Sequence, residues 1–404
     1  MPARIVMAWE LGHGFGHVLP LATLARALIE RGHDVLVVAR DLVRARRAFD
    51  GLPVRLLSAP FFPGALSPAQ QQNSLADVVW FDGGGHSADT LAALFLAWRE
   101  LLRLLDADLL VADAAPVALA AAHGLLPTIS YDNGFHCTDE RGWSIFRDWE
   151  RINANASQQR AVDLLTHINT ARAAAGLAAA PSLAAAFAAQ RTLIRFPREL
   201  DYAAPRPDAR HVGQTVPPGA VPEWPKPMLP QRLFAYLRKE HPLSERVISA
   251  LARLPQTEVL CFHDGLPAER LRPAPHLAYT QTPLDLAQVL PQVDAVVCHG
   301  GGLQALALQY GKPALALPLH TEQFLSARMA ERAGCALLHV ARGERPDFLP
   351  VIRQLLTNPS FTANAEAIAA AHRTREPDAL GATLDEIDAL LETRSALNSE
   401  PRAH

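Results

Sequence analysis

Between Pro205 and Pro230 the chain reads PRPDARHVGQTVPPGAVPEWPKPMLP. Proline fixes φ and removes a backbone donor, so a stretch this rich in it cannot continue a helix or an inner strand. It reads as a linker, and it divides the chain into two blocks with the same rhythm. Before it, RIVMAW is followed by a helical LATLARALIERG and then DVLVVA; TLAALFLAWRELLRLL leads into DLLVAD, and VALAAAHGL into PTISY. After it come RLFAYLR, a helical LSERVISALARL, EVLCFH, HLAYTQ, DAVVCH, a helical LQALALQYG and PALALP. Apolar strands alternating with helices imply parallel sheets covered on both faces. The expected fold class is α/β, with two parallel-sheet domains facing a cleft and ligands at the carboxyl ends of the strands. The expected domains are 1–204, a linker over 205–230, a second domain over 231–375, and a C-terminal helical segment over 376–404 packing back toward the first domain. A chain of 404 residues fits two cores better than one.

Composition narrows the function. Hydrophobic residues make up 49% and charged residues 20%, with a net charge of −3 and both signs interspersed. That describes globular domains with no basic stripe for nucleic acid. No apolar run is long enough to span a membrane. Strand-like sequence begins within a few residues of Met1, which leaves no room for a signal peptide, so a cytoplasmic protein is expected. Cys137, Cys261, Cys298 and Cys335 lie far apart with no CxxC pair, as expected of reduced, buried thiols.

Two glycine-rich turns carry the chemistry. The first is GHGFGHVLPLATLARALIERGHDV, Gly12 to Val35, directly after an apolar strand. A dinucleotide fingerprint GxGxxG would have its third glycine where His17 stands, so that reading fails. His13 and His17 are four apart, but no acid or cysteine lies at metal-ligand spacing nearby. The glycines make a tight strand-to-helix turn. His17, at the carboxyl end of the first strand, is placed to face a ligand, with His13 and Gly16 on the same acceptor side; a purely structural histidine is the alternative. His33, after the helix, is a cation near a helix C-terminus.

The second turn is CHGGGLQALALQYGKPALALPLHTEQ, Cys298 to Gln323. A buried strand ends in His299, Gly300, Gly301 and Gly302, and a helix follows at once. Glycine lets an anion approach the N–H groups of a helix N-terminus, which suits a diphosphate. His299 offers a further hydrogen bond to a phosphate oxygen. A plain tight βα connection is the alternative.

GHVLPLATLARALIERGHDV resembles the opening of family 1 glycosyltransferases, and DAVVCHGGG followed by GKPALALPLHTEQ resembles their donor signature. The resemblance runs in order over nearly the whole chain and is nearest to an uncharacterised bacterial branch. It implies the GT-B fold, two Rossmann-like domains facing a cleft. It also implies an inverting, metal-independent transfer of a sugar from a nucleotide diphosphate-sugar to a small-molecule acceptor, with no cofactor. In that reading His17 is the general base and Asp113, ending DLLVAD, its partner; an N-cap role for Asp113 stays open. His299, Gly300, Gly301 and Gly302 cradle the diphosphate. Glu322 and Gln323 hold donor sugar hydroxyls or else cap a helix. Arg238 supplies a phosphate charge or lies on the surface, and Pro283 and Leu284 border the base.

The signature departs from the family in one place. It is one residue short between His299 and Gly311. The family's phosphate-binding Thr or Ser falls on Leu303, and its ribose-binding Glu on Leu306. Gln304 or Gln309 is then expected to compensate, and a thymidine donor, which lacks one ribose hydroxyl, is favoured beside a uridine one. Two other functions stay open: a non-catalytic nucleotide-sugar-binding accessory protein, and a sugar-nucleotide epimerase of the same fold. Asp106-Ala107-Asp108 has the DxD form of a metal motif but precedes a buried strand and reads as a helix end. The acceptor loops are expected near Pro60 to His86 and near Phe135 to Asn155; the glycine-rich WFDGGGHSAD, Trp80 to Asp89, reads as a plain connection, with an acceptor-side loop as the alternative.

Overall fold

The computed structural model describes residues 2–64, 73–137, 154–203, 206, 208–225, 229–254, 256–341, 343 and 346–399. The chain forms two compact units. One comprises 1–195, 202–212 and 378–404, the other 196–201 and 213–377.

The first unit holds a seven-stranded parallel sheet. Its strands are β1 (Arg4–Trp9), β2 (Asp34–Ala39), β3 (Arg55–Ser58), β4 (Leu109–Asp113), β5 (Thr128–Asp132), β6 (Arg191–Ile194) and β7 (Ala209–His211), in the order β3-β2-β1-β4-β5-β6-β7. The order reverses beside β1, so the carboxyl ends of β1 and β4 open where the connections diverge, the usual ligand position of such sheets. Ile5 to Trp9 and Leu109 to Asp113 are entirely buried, which explains their unbroken apolar runs. Leu91, Phe95, Trp98 and Leu102, three and four apart on the Ala88–Leu104 helix, bury one stripe against the sheet. The final helix, Ala379–Ser399, belongs to this unit. Arg31 pairs with Asp388, and Glu386 accepts from Arg191 and Arg210.

The second unit holds a six-stranded parallel sheet. Its strands are β8 (Gln231–Arg238), β9 (Thr257–Asp264), β10 (Leu277–Thr280), β11 (Ala295–Cys298), β12 (Ala314–Ala316) and β13 (Ala336–Leu338), in the order β10-β9-β8-β11-β12-β13. Again the order reverses at the centre, beside β8 and β11. The proline-rich stretch does more than link. Ala220 pairs with Leu284 and exchanges backbone hydrogen bonds with Pro283 and Asp285, so residues 213–225 are part of this unit. A Cβ on Gly219 would lie 2.2 Å from the Leu284 carbonyl carbon, so only glycine permits that approach.

Candidate active site

In the first unit the site is assembled from the ends of β1, β4, β5 and β6. After β1 the chain turns through Gly12 and Gly14, at φ 77° and 87°, and enters the Phe15–Glu30 helix with Gly14 as its N-cap. His17 falls in the first turn of that helix and is buried. Its Nδ1 lies 2.9 Å from Oδ1 of Asp113, the last residue of β4. The Trp9 ring stacks on the imidazole at 5.7 Å. A Cβ on Gly12 would lie 2.3 Å from His17 Nε2, so glycine there leaves the ring its room.

Asp113 is completely buried and is shared. Arg195, directly after β6, donates from Nη2 to its Oδ2 at 2.6 Å and from Nη1 to the Gly16 carbonyl at 3.3 Å. The Arg195 guanidinium also lies over the Tyr131 ring. Burial pushes the Asp113 carboxyl upward, and Arg195 and His17 oppose it. The guanidinium supplies the counter-charge that a buried carboxylate requires. Asp113 caps no helix. That task falls to Glu10, whose carboxyl oxygens accept from the Val117 and Ala118 N–H groups opening the Pro116–Ala122 helix.

A second histidine–aspartate pair adjoins the first. Asp132, the last residue of β5, accepts from His136 Nδ1 at 3.1 Å and from the N–H groups of Gly134, His136 and Ala114. Burial works against its charge, but His136, Arg195 and His17 overcome this and hold its carboxyl far below the usual range. Ala114 adopts φ 49°, a conformation L side chains avoid. It is pinned there because its N–H goes to Asp132 while its carbonyl accepts from the Glu10 and Leu11 N–H groups. The turn that aims Asp113 is therefore held from both sides. His136 meets His17 edge-on at 5.9 Å. Arg195, Asp132, His136 and Glu10 did not figure among the residues expected from sequence. The signal was present for Asp132, which ends an apolar strand just as Asp113 does.

In the second unit β11 runs into His299 and the glycine turn. Gly300, at φ 87°, caps the Gly301–Gln309 helix. A Cβ on it would meet the Gln323 carbonyl oxygen at 2.8 Å, so the turn packs directly on the start of the Thr321–Arg332 helix. The Gly300 N–H points to Cys298 Sγ and that of Gly301 to Ser326 Oγ. The N–H groups of Gly302 and Leu303 lie in the first helical turn, where no carbonyl of the same helix can accept them.

Several expectations change here. His299 does not offer a ring N–H to phosphate. Its Nδ1 donates to the Leu317 carbonyl at 2.8 Å and its Nε2 accepts the Arg238 backbone N–H at 3.1 Å, so the two nitrogens tie the end of β8 and the residue after β12 to the end of β11. Burial brings its pKa down to about 4, and the ring is neutral. Leu306 does not face a ribose. It is buried in an apolar cluster with Phe234, Leu260 and Val289. Gln309 is occupied, accepting the Gln214 N–H at 2.6 Å. Gln323 accepts the Leu319 N–H through Oε1 at 2.9 Å. Gln304 is completely buried beside Gly300, its amide without a hydrogen-bond partner. Arg238 lies next to Glu240, and Glu322 is half-buried in the first turn of its helix. Pro283 and Leu284 form the bridge with Ala220.

His13 is exposed and lines a cavity of about 430 Å³ together with Trp9 and Arg40. Gly16 is exposed, its carbonyl bound by Arg195. Asp108 is a structural residue, accepting the Arg4 N–H. Of the expected acceptor loops, 65–72 and 138–153 lie outside the described residues. Among the described residues, no helix is long and apolar enough to cross a membrane, and no group of three or more histidine, cysteine or acidic side chains is arranged to hold a metal ion.

Residues 239–386 match the sequence model of the family described as UDP-glucoronosyl and UDP-glucosyl transferase. No curated protein matches the chain by sequence. Among solved structures, the glycosyltransferase VinC in complex with dTDP is similar with a TM-score of 0.70 and 19% identity, over 96% of this chain and 100% of that one. The spinosyn rhamnosyltransferase SpnG complexed with spinosyn aglycone is similar at 0.64 and 20%, over 94% and 99%. The glycosyltransferase SnogD from Streptomyces nogalater is similar at 0.62 and 18%, over 97% and 100%. The family match falls on the unit that carries the glycine turn, and the fold, shared over nearly the whole chain with these structures, is GT-B, two parallel-sheet α/β domains.

Proposed function

We propose that the chain moves a sugar from a nucleoside diphosphate-sugar to a hydroxyl of a small-molecule acceptor, with inversion at the anomeric carbon and without a metal ion. The observation that carries this reading is the buried His17–Asp113 pair with Arg195 behind it. A hydroxyl is a poor nucleophile until a base takes its proton, and a neutral imidazole matches that task near pH 7. With Nδ1–H donated to Asp113, Nε2 bears the lone pair. It accepts the acceptor's proton as the oxygen bonds to the anomeric carbon and the bond from that carbon to the diphosphate oxygen breaks. Asp113 stabilises the imidazolium so formed. Attack opposite the departing group inverts the centre. The leaving diphosphate goes to the open N–H groups of Gly302 and Leu303 at a helix N-terminus.

The donor nucleotide in this reading is of the thymidine type. The support is that VinC, which shares this fold, was solved with dTDP. The test is a reaction with α-configured dTDP-glucose and UDP-glucose over a panel of hydroxylated aromatic acceptors, with products read by NMR. A β-glycoside formed faster from dTDP-glucose is expected. An α-glycoside would sink the single-displacement mechanism, and free sugar with no glycoside would sink the transferase reading.

A further inference from the structure

The cavity of about 430 Å³ at the carboxyl ends of β1, β2 and β3 is walled by Trp9, His13, Arg40, Asp41, Ser58 and Phe61. Trp9 is the residue whose ring stacks on His17, so this cavity lies one indole away from the candidate base. Arg40, the residue after β2, is half-buried, and its guanidinium lies over the Phe61 ring at 5.1 Å. Its backbone N–H goes to the Trp9 carbonyl, which fixes where the side chain starts.

What distinguishes Arg40 is its lack of a counter-charge. Among the described residues no carboxylate lies within ion-pairing distance of its guanidinium. The neighbouring Asp41 is committed elsewhere, accepting both the backbone N–H and the side chain of Arg44 as an N-cap. Asp82 and Glu10 act on Arg40 only at longer range. Residues 40–50 carry four arginines against two aspartates, so the local field favours an anion. A partly desolvated guanidinium stacked on an aromatic ring keeps its charge and its fork of donors, the geometry that recognises a planar carboxylate with two parallel bonds. Leu42 and Val43 line the same cavity with apolar surface.

We propose that this cavity is an acceptor subsite, and that Arg40 selects acceptors carrying a carboxylate on an aromatic body. The carboxylate pairs with Arg40, and the aromatic body is flanked by Trp9 and Phe61. The inference rests on the reading of His17 as the base, because that reading makes this the acceptor side.

Binding and chemistry are separated by measuring binding without donor in the His17→Ala protein. The probes are 4-hydroxybenzoate and its methyl ester, which match in shape and differ in charge. Calorimetry should show the acid binding at least tenfold more tightly. Arg40→Gln should erase that preference by weakening the acid alone, and Arg40→Lys, which keeps the charge, should restore part of it. The proposal is overturned if the ester binds as tightly as the acid, if neither binds at millimolar concentration, or if Arg40→Gln weakens both alike. Turnover of 4-hydroxybenzoate by the wild-type protein tests the base independently. A retained acid preference without any transfer would support Arg40 as the selector and count against His17 as the base.

Discussion

The two units repeat one device and wire it for opposite purposes. In each, a central strand of the sheet ends in a glycine turn that caps a helix. Gly14 has φ 87° and ψ −168°, and Gly300 has φ 87° and ψ −159°, nearly the same conformation. Each turn holds a buried histidine, His17 three residues after its glycine and His299 one before. The difference lies in the partners. His17 gives Nδ1 to a carboxylate that is itself braced by an arginine. His299 gives Nδ1 to a carbonyl and Nε2 to a backbone N–H. A carboxylate partner favours uptake of a proton. A carbonyl and an amide together fix one neutral tautomer and leave nothing to exchange. A histidine in a glycine turn is thus free to exchange a proton, as the proposed base must, or held as a rivet, according to the partners its nitrogens meet.

Replacing each histidine tests the contrast most directly. His17→Ala should lower turnover a hundredfold or more while leaving nucleoside diphosphate affinity nearly intact, as steady-state rates and calorimetry will show. Wild-type turnover in that variant would break the comparison on the base side. His299→Phe keeps a ring of similar size but strands the Leu317 carbonyl and the Arg238 N–H. Two unsatisfied backbone groups should cost about 2–5 kcal/mol of stability, visible in denaturant unfolding. If stability held and diphosphate affinity fell tenfold instead, His299 would be a phosphate ligand after all.

A smaller effect sharpens the same contrast through pH. Burial raises the Glu10 pKa from 4.5 to about 8. Between those values the folded carboxyl keeps its proton while the unfolded one has lost it. Folding then takes up a proton, and the stability Glu10 contributes, complete below pH 4.5, is lost as pH rises through 8. Glu10→Gln removes that slope but gives up one of the two acceptors that meet the Val117 and Ala118 N–H groups. It should be less stable than wild type at pH 4.5, and the gap should narrow by on the order of 1–3 kcal/mol by pH 9. Parallel stability curves for the two proteins would show that Glu10 is ionised in the fold. The smallest expected effect is none: excess EDTA should leave the transfer rate unchanged, and a loss restored by magnesium or manganese would refute metal independence.

The long apolar strands and both glycine turns were legible because local periodicity and φ requirements write them into contiguous residues. The strands RLLS, ARH and ALL were not, being too short to carry a period. Neither was the basic helix LVRARRA beside the 430 Å³ cavity. In the site, His17 and Asp113 could be found one at a time, each at the end of an apolar run. Arg195 could not be joined to them, because its reach to Asp113 depends on β6, β5 and β4 lying side by side. The locking of His299 was equally out of view, since its partners come from β8 and from the residue after β12. Leu306 shows the complementary error. Alignment by motif placed it at a ligand, whereas the turn of its helix carries it into the core.

Gly12 has a consequence for descent. Every single-nucleotide change that converts a glycine codon to that of another amino acid adds a β-carbon. At this position the added atom would land 2.3 Å from His17 Nε2, on a backbone already at φ 77°. One step in the gene can therefore displace the His17 ring without altering that residue. A lineage that took that step would still carry His17, Asp113, Arg195 and the whole glycine turn of the second unit, and would look intact to any reading that counts the proposed site residues alone.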